Sequence, residues 1–267
     1  SKRIILNSKN FYSNRVRIKS GMTRITQDQI VRFVAEYLSK KNVNPNDAWK
    51  AIYELLLWCV EIEGQSVPHI VEVNALKKLG SWYNKALMAC RILADTFGTT
   101  ERNLCDKLDI LMKHFGITGQ RQNYLGRGFL AILKVLLNIN LNINVVKDCP
   151  YSKLKGLEDI GRHKADIVLP PPPNFRVLIS AKWSLRHDRL RDLLNEASEC
   201  KSKRPDIKFL VVTNEFMDAR LKNLVVNGVC DTVYHVHKPL LIKLGLNPPD
   251  ELKDFSELFN DVKKAIA

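Results

Sequence analysis

The stretch VLISAKWSLRHDRLRDLLNEASE, residues 177–199, decides the fold, because it changes from the pattern of a strand to the pattern of a helix. Residues 177–181 are apolar except for Ser180 and include the β-branched Val177 and Ile179, and Lys182 ends the run. Apolar side chains at helical spacing then form one stripe: Leu190, Leu193, Leu194 and Ala197. The stretch therefore predicts a strand that feeds a helix, with charged residues gathered at the junction.

The composition is that of a folded, basic protein. Hydrophobic residues make up 45% and aromatic residues 8% of the 267 residues, which is enough for one large domain or two small ones. Lys and Arg number 42 against 28 Asp and Glu, a formal net charge of +14. An excess of this size favours a polyanionic partner, nucleic acid first, over the alternative of an ordinary basic cytosolic protein.

The cysteines and the hydropathy pattern indicate the compartment. The six cysteines form no CxxC pair and read as reduced thiols, mostly buried. No run of 18 consecutive apolar residues is present, and the basic N-terminal stretch contains no apolar signal-peptide core. These patterns favour a soluble, cytoplasmic protein.

The chain changes character near residue 139. Residues 26–138 are helical in pattern throughout, whereas later residues form short β-rich runs with two helices between them and a closing helix. We therefore expect a helical N-terminal layer, residues 1–138, and an α/β domain, residues 139–267, packed together as one unit.

The segment LPPPPNF, residues 169–175, joins two of the predicted strands. Four consecutive prolines cannot continue a central strand, so the segment predicts an antiparallel hairpin; a proline-rich ligand for a recognition module is the less favoured interpretation. The hairpin would bring Asp166 beside Lys182, and the following helix would return Glu196 over the same edge. Two carboxylates and a lysine suit a divalent cation and phosphodiester hydrolysis, although spacing alone is weak support.

These residues resemble a known signature. Asp166, SAK at 180–182, RHDR at 186–189 and Glu196 are similar to the motif of the type II restriction endonucleases of the PD-(D/E)XK superfamily. The similarity is closest to the branch that cuts sites with a CCGG core. In that branch, serine replaces the acidic residue two positions before the lysine, and a glutamate on the next helix supplies the missing carboxylate. Ser180 and Glu196 occupy those positions.

The resemblance implies an α/β/α core with a mixed sheet and a metal-dependent nuclease. Asp166 and Glu196 would bind Mg²⁺, and Lys182 would stabilise the transition state. The RHDR element would read the bases through Arg186, Asp188 and Arg189. An arginine fork suits O6 and N7 of guanine, and an aspartate accepts from the cytosine amino group. The resemblance further implies double-stranded DNA as partner, 5′ overhangs, at least a homodimer on palindromic DNA and a prokaryotic cell.

Some features depart from the family pattern or leave alternatives open. Ala165 precedes Asp166 where the family has proline, which supplies no ligand. The family often has a glutamate on an earlier helix, and either Glu72 or Glu101 would serve, or none. A repair or structure-specific nuclease and an inert DNA-binding protein remain rivals. His235 and His237 share a strand face, but without a third ligand nearby a structural or DNA-backbone role is favoured over a metal site.

Overall fold

The computed structural model describes residues 27–41, 43–63, 88, 91–96, 119–161, 164–185 and 187–267. The chain divides into two compact units, residues 1–32 with 53–128 and residues 33–52 with 129–267. The described residues of the first unit are helical, and the second unit contains the sheet. The division at residue 138 stays a prediction. Across the described ranges, no helix is long and apolar enough to cross a membrane.

Among the described residues before the sheet, three long helices lie at positions where the sequence predicts them, and residues 91–96 are also helical. The three long helices are α1, Gln27–Ser39, α2, Ala48–Glu63, and α3, Gly119–Leu141. A single turn of 3-10 helix, Pro45–Asp47, leads into α2. The side chain of Asn44 accepts a hydrogen bond from the Asn46 N–H at 3.0 Å, and Pro45 suits the first turn, where its missing N–H costs nothing.

The second unit is built on a six-stranded mixed sheet with the strands in sequence order. The strands are β1, Val146–Pro150, β2, Lys164–Leu169, β3, Val177–Lys182, β4, Lys208–Thr213, β5, Thr232–His235, and β6, Lys253–Asp254. Strands β1 to β3 are antiparallel, and β3 to β6 are parallel. The predicted α/β fold class with a mixed sheet is confirmed.

Helices make the connections that parallel strands require. Helix α4, His187–Lys203, joins β3 to β4, α5, Asp218–Val226, joins β4 to β5, and α6, Lys238–Lys243, joins β5 to β6. Helix α7, Phe255–Ile266, follows β6 and begins with a capping box between Asp254 and Glu257. Strands β3 and β4 are buried almost throughout, as expected of central strands covered on both faces.

The predicted hairpin forms. Strands β2 and β3 pair in antiparallel register from Leu169–Val177 to Ile167–Ile179, and the proline segment makes the connection. The Arg176 N–H donates to the Leu169 carbonyl at 2.9 Å, which closes the turn. The change from helix to strand falls just after the predicted residue 139: helix α3 continues to Leu141, and the first strand begins at Val146.

Candidate functional site

The predicted catalytic residues Asp166 and Lys182 lie near one end of the sheet. Strands β1, β3, β4 and β5 end at the same edge of the sheet at which β2, which runs in the opposite direction, begins. The residues at this edge are Pro150, Lys164, Lys182, Thr213 and His235. We call it the site end. Carboxyl ends of parallel strands are where α/β sheets commonly bind ligands.

Asp166 and Lys182 meet at the site end, as the hairpin predicts. The Lys182 ammonium lies 2.6 Å from Asp166 Oδ2, and the same oxygen accepts the Ala181 N–H at 2.9 Å and the Ser180 hydroxyl at 3.2 Å. The described pairing of β2 with β3 ends at Ile167. Beyond this point the Ala181 N–H donates to the Asp166 carboxylate instead of to a backbone carbonyl of β2. We call these four residues the Asp166 cluster.

The second oxygen of Asp166 distinguishes this cluster. Every hydrogen bond to the Asp166 carboxylate from the described part of the chain goes to Oδ2, and none goes to Oδ1. The Asp166 and Lys182 side chains keep 21% and 29% of their surface exposed, so a ligand can reach both. The cluster therefore offers one pre-oriented carboxylate oxygen next to an ammonium group, which suits a cation together with a phosphate.

Glu196 is hydrogen-bonded to a tyrosine that directly follows β1. The buried Tyr151 begins a 3-10 turn immediately after β1, and its hydroxyl donates to Glu196 Oε1 at 2.6 Å. Pro150 pairs with Lys164, two residues before Asp166. The structure thus joins Asp166, Ser180 and Lys182 directly, whereas Glu196 is joined to Tyr151, and its predicted approach to Asp166 stays a prediction. The sequence analysis missed Tyr151, which no motif marks.

Two residues of the predicted base-reading element, Asp188 and Arg189, lie at the start of α4. Asp188 and Arg189 are exposed in the first turn of this helix, and an acidic residue there also suits the helix dipole. Arg186 lies outside the described residues, as do Glu72 and Glu101. The predicted roles of these residues therefore stay predictions.

A buried glutamate holds the connection between β3 and α4. Glu215 accepts the Leu185 N–H at 2.7 Å through Oε2, and the Asn214 N–H donates to the Trp183 carbonyl at 3.1 Å. Glu215 Oε1 accepts two further backbone donors, from Phe216 and Met217. Glu215 Oε2 also pairs with Arg220 at 3.4 Å, so this buried carboxylate holds three backbone donors and one arginine, which is a structural role. It fixes the segment that leads from Lys182 to the predicted reading element, and the sequence analysis missed it.

Contrary to expectation, the two histidines do not share a strand face, because β5 ends at His235 and His237 caps α6. His235 is buried; its Nδ1 accepts the His237 N–H at 3.0 Å, so Nε2 carries the proton and donates to the Glu215 carbonyl at 3.1 Å. Burial lowers the pKa of His235 to about 4, so the ring is neutral at physiological pH. His237 stacks on Trp49 with the ring centroids 3.8 Å apart.

The cysteines of the described residues agree with the reduced state that the sequence predicts. Cys149 and Cys200 are buried, Cys230 is half-buried, and all three are free. Burial raises the pKa of the Cys200 thiol to about 11 and that of Cys230 to about 12. These thiols therefore stay protonated and unreactive near neutral pH.

Comparisons with known proteins give distant likenesses. No protein-family model matches the chain, and no curated protein matches it. Among solved structures, it is similar to the restriction endonuclease PspGI in complex with substrate DNA, with a TM-score of 0.46 and 19% identity over 91% of this chain and 93% of that one. It is also similar to metal-depleted Ecl18kI with uncleaved, modified DNA (TM-score 0.44, 14% identity, 98% and 84% covered) and with uncleaved DNA (0.38, 12%, 90% and 85%). Likenesses this weak establish neither a shared site nor a family membership.

Proposed function

We propose that this protein is a magnesium-dependent, type II site-specific endonuclease that cuts both strands of DNA at a palindromic site with a CCGG core and leaves 5′ overhangs. The observation that carries the proposal is the Asp166 cluster. It has one carboxylate oxygen held by Lys182 and two other donors, and a second oxygen without a hydrogen bond from the described residues.

The donor set suits magnesium. Asp166 and Glu196 supply carboxylate oxygens, and Mg²⁺ usually takes one or two carboxylates together with water and substrate phosphates. Within residues that the structure describes, no group of three His, Cys, Asp or Glu side chains could hold a metal. In this proposal the site uses Asp166 and Glu196 together with water and substrate phosphate. When bound, Mg²⁺ would polarise a phosphoryl oxygen and lower the pKa of a water ligand.

Lys182 supplies the positive charge that phosphodiester cleavage needs beside the metal. Its ammonium group is held at 2.6 Å by Asp166 and has 29% of its side chain exposed, so it can contact a phosphate oxygen without leaving the cluster. In the transition state it would stabilise the negative charge that develops on the phosphoryl group.

The reading element provides the sequence preference in this proposal. Arg186 and Arg189 would each bond O6 and N7 of a guanine, and Asp188 would accept from a cytosine amino group. Helix α4 carries Asp188, Arg189 and Glu196 on one rigid element. Correct base contacts would therefore position a metal ligand, which couples recognition to cleavage.

The partners follow from the symmetry of the substrate. A palindromic duplex presents the same half-site twice, so the active form would be a homodimer or a higher homo-oligomer acting on double-stranded DNA. Residues 139–267 would be the catalytic core, with residues 1–138 available for DNA and dimer contacts. A restriction role places the protein in the cytoplasm of a prokaryotic cell, together with a protecting modification of the host DNA.

The test is cleavage of a phage DNA in magnesium, with sequencing of the fragment ends. We expect discrete fragments whose ends carry CCGG. Lys182→Ala is expected to lose cleavage by roughly 100- to 1000-fold, the scale of removing one group that stabilises the transition state. Arg186→Ala is expected to lose cleavage at the site, because a bidentate arginine–guanine pair is worth about 1–3 kcal/mol of discrimination.

Two matched variants serve as controls. Lys253→Ala breaks an ion pair of the same length, 2.6 Å to Asp261, in the edge strand β6, and is expected to cleave at the wild-type rate. Arg191→Ala removes an exposed arginine from α4 without touching the reading element. This variant is expected to keep the wild-type site preference, because Arg191 lies outside the predicted reading element.

The outcomes separate the rivals. Cleavage without site preference, retained in Arg186→Ala, would favour a repair or structure-specific nuclease. Salt-sensitive duplex binding without strand scission in magnesium would favour an inert DNA-binding protein. Either result overturns the proposed function.

A further inference from the structure

Three buried or half-buried side chains, Cys200, Tyr151 and Glu196, form a series of hydrogen bonds that ends at Glu196. The Cys200 thiol lies 3.5 Å from the Tyr151 hydroxyl oxygen, and that hydroxyl lies 2.6 Å from Glu196 Oε1. Tyr151 and Cys200 are both buried, and Glu196 is half-buried. The motif that marks Glu196 contains neither of the other two residues.

The two hydrogen bonds run in one direction, from Cys200 to Tyr151 and from Tyr151 to Glu196. A tyrosine hydroxyl ordinarily titrates at about pH 10 and a thiol at about pH 8.5, so both groups carry their protons at neutral pH. A carboxylate can only accept, so the tyrosine donates to Glu196 and its oxygen is left to accept from the thiol. The short contact is therefore a charge-assisted hydrogen bond, which is the stronger kind.

The tyrosine is itself held firmly. It follows β1 directly, its carbonyl accepts the Leu154 N–H at 2.8 Å, and the preceding Pro150 pairs with Lys164 at the site end. The strand that anchors Tyr151 is thus the neighbour of the strand that carries Asp166. A side chain fixed in this way can hold a carboxylate on a separate helix at a constant position relative to the sheet.

We propose that Tyr151 is a positioning residue: its hydroxyl fixes the carboxylate of Glu196 in the orientation in which that carboxylate binds the divalent cation at the Asp166 cluster. This inference rests on the proposed function, since it gives Glu196 a cation to bind. Metal-binding carboxylates are commonly held by hydrogen bonds from a second layer of residues, and losing such a partner typically costs 10- to 100-fold in metal affinity.

A purely structural role for the same hydrogen bond is the alternative, and the chain contains a matched control for it. Tyr234 is also fully buried, and its hydroxyl donates to a carboxylate, Asp261 Oδ2, at 2.9 Å. Tyr151→Phe and Tyr234→Phe therefore each remove one buried hydroxyl from one carboxylate. Only the first change acts on a proposed metal ligand.

The experiment measures magnesium dependence of cleavage and, separately, Mn²⁺ binding by the loss of the free-ion electron paramagnetic resonance signal. For Tyr151→Phe we expect the half-saturating magnesium concentration and the Mn²⁺ dissociation constant to rise about 10-fold or more, with the cleavage rate at saturating metal retained. Tyr234→Phe should match the wild type in both. Cys200→Ala, which keeps the tyrosine and removes its donor, should shift both quantities in the same direction by a smaller factor.

The two readouts keep the inference distinct from the proposed function. If the wild type cleaves and Tyr151→Phe shows an unchanged metal dependence, the inference is overturned and the proposed function stands. If the wild type does not cleave, the proposed function fails, and Mn²⁺ binding still decides. Weaker binding in Tyr151→Phe alone supports the positioning role, whereas equal binding, or none by the wild type, overturns it. If Tyr151→Phe does not fold, Cys200→Ala gives the same decision.

Discussion

Each end of the sheet has an aspartate that accepts hydrogen bonds from a backbone N–H and a lysine, but the two aspartates differ in their remaining contacts. At the site end, Asp166 accepts the Ala181 N–H and the Lys182 ammonium. At the opposite end, where β4 and β5 begin, Asp231 accepts the Phe209 N–H at 2.8 Å and the ammonium group of Lys201 at 3.1 Å. In both places a carboxylate bonds a backbone donor of the neighbouring strand and a lysine.

The difference lies in the second oxygen. Asp231 Oδ1 is bonded by Lys201 and Lys208, at 3.2 and 3.1 Å, whereas Asp166 Oδ1 receives no hydrogen bond from the described residues. Burial by itself raises the pKa of Asp231, but the bonds from the Phe209 N–H and the two lysines outweigh it, so the pKa is lowered. An aspartate–lysine pair at a sheet end is therefore not by itself a site. The unused oxygen is what marks the Asp166 cluster as a candidate.

The largest expected effect is the loss of DNA cleavage caused by the substitution Asp166→Asn. The amide keeps the size of the side chain but removes the charge that would hold a cation. We expect single-turnover cleavage to fall by roughly 100- to 1000-fold. The free energy of unfolding, measured with urea, should change by less than about 1 kcal/mol, because the pair with Lys182 is partly exposed. If Asp166→Asn cleaves within 10-fold of the wild-type rate, Asp166 has no catalytic role that distinguishes it from Asp231.

The reverse result is expected for Asp231→Asn. Its side chain is only 15% exposed, and two lysines and a backbone donor lose their charged acceptor. We expect the free energy of unfolding to fall by about 1–3 kcal/mol, with cleavage per folded molecule unchanged. Asp159→Asn is the control: this residue is 94% exposed and 4.0 Å from Lys203, so its replacement should leave stability unchanged. A loss of cleavage in folded Asp231→Asn would contradict this division of roles.

The site end also contains a structural group whose titration is measurable. The pKa of buried His235 is about 4 in the folded protein against an ordinary value of 6.5, so the unfolded chain takes up the proton first. Stability is therefore full above about pH 6.5 and is lost as the pH falls toward 4. Between pH 7 and pH 5 the loss from this residue is about 2 kcal/mol.

Urea unfolding at the two pH values tests this expectation. His235→Gln, which cannot take up the proton, should show a smaller loss of stability between pH 7 and pH 5 than the wild type. An equal loss in both proteins would show that other groups control the pH dependence.

The smallest effect is expected for Ser180→Ala. The hydroxyl is buried and donates to Asp166 Oδ2 at 3.2 Å, but Ala181 and Lys182 still hold that oxygen without it. A net cost of about 0.5–1.5 kcal/mol predicts a decrease in cleavage of less than about 10-fold. A decrease as large as that of Asp166→Asn would mean that Ser180 has a direct part in the chemistry.

The sequence predicts those parts of the site that depend on local patterns. Alternating apolar residues and the proline segment predict the β2–β3 hairpin, and the hairpin register then brings Asp166 to Lys182. The two-residue strand β6 and the six-residue helix α6 were not predicted, because neither is long enough to show a period.

Tertiary contacts could not be predicted in this way. Tyr151 reaches Glu196 across 45 residues, and Glu215 reaches Leu185 across 30, and no repeating pattern in the sequence records either contact. They depend on which strands become neighbours and on where a helix returns over the sheet. Such supporting residues appear only once the register is known.

The hairpin also bears on the order in which the chain folds. Asp166 and Lys182 are 16 residues apart and meet when one antiparallel turn closes, whereas the Lys201–Asp231 pair spans 30 residues and needs a helical crossover and two parallel strands. Short-range antiparallel contacts form faster than parallel ones of greater sequence separation. We therefore expect the charged pair of the site end to assemble early in folding, and the stabilising pair of the opposite end to form only as the parallel half of the sheet completes.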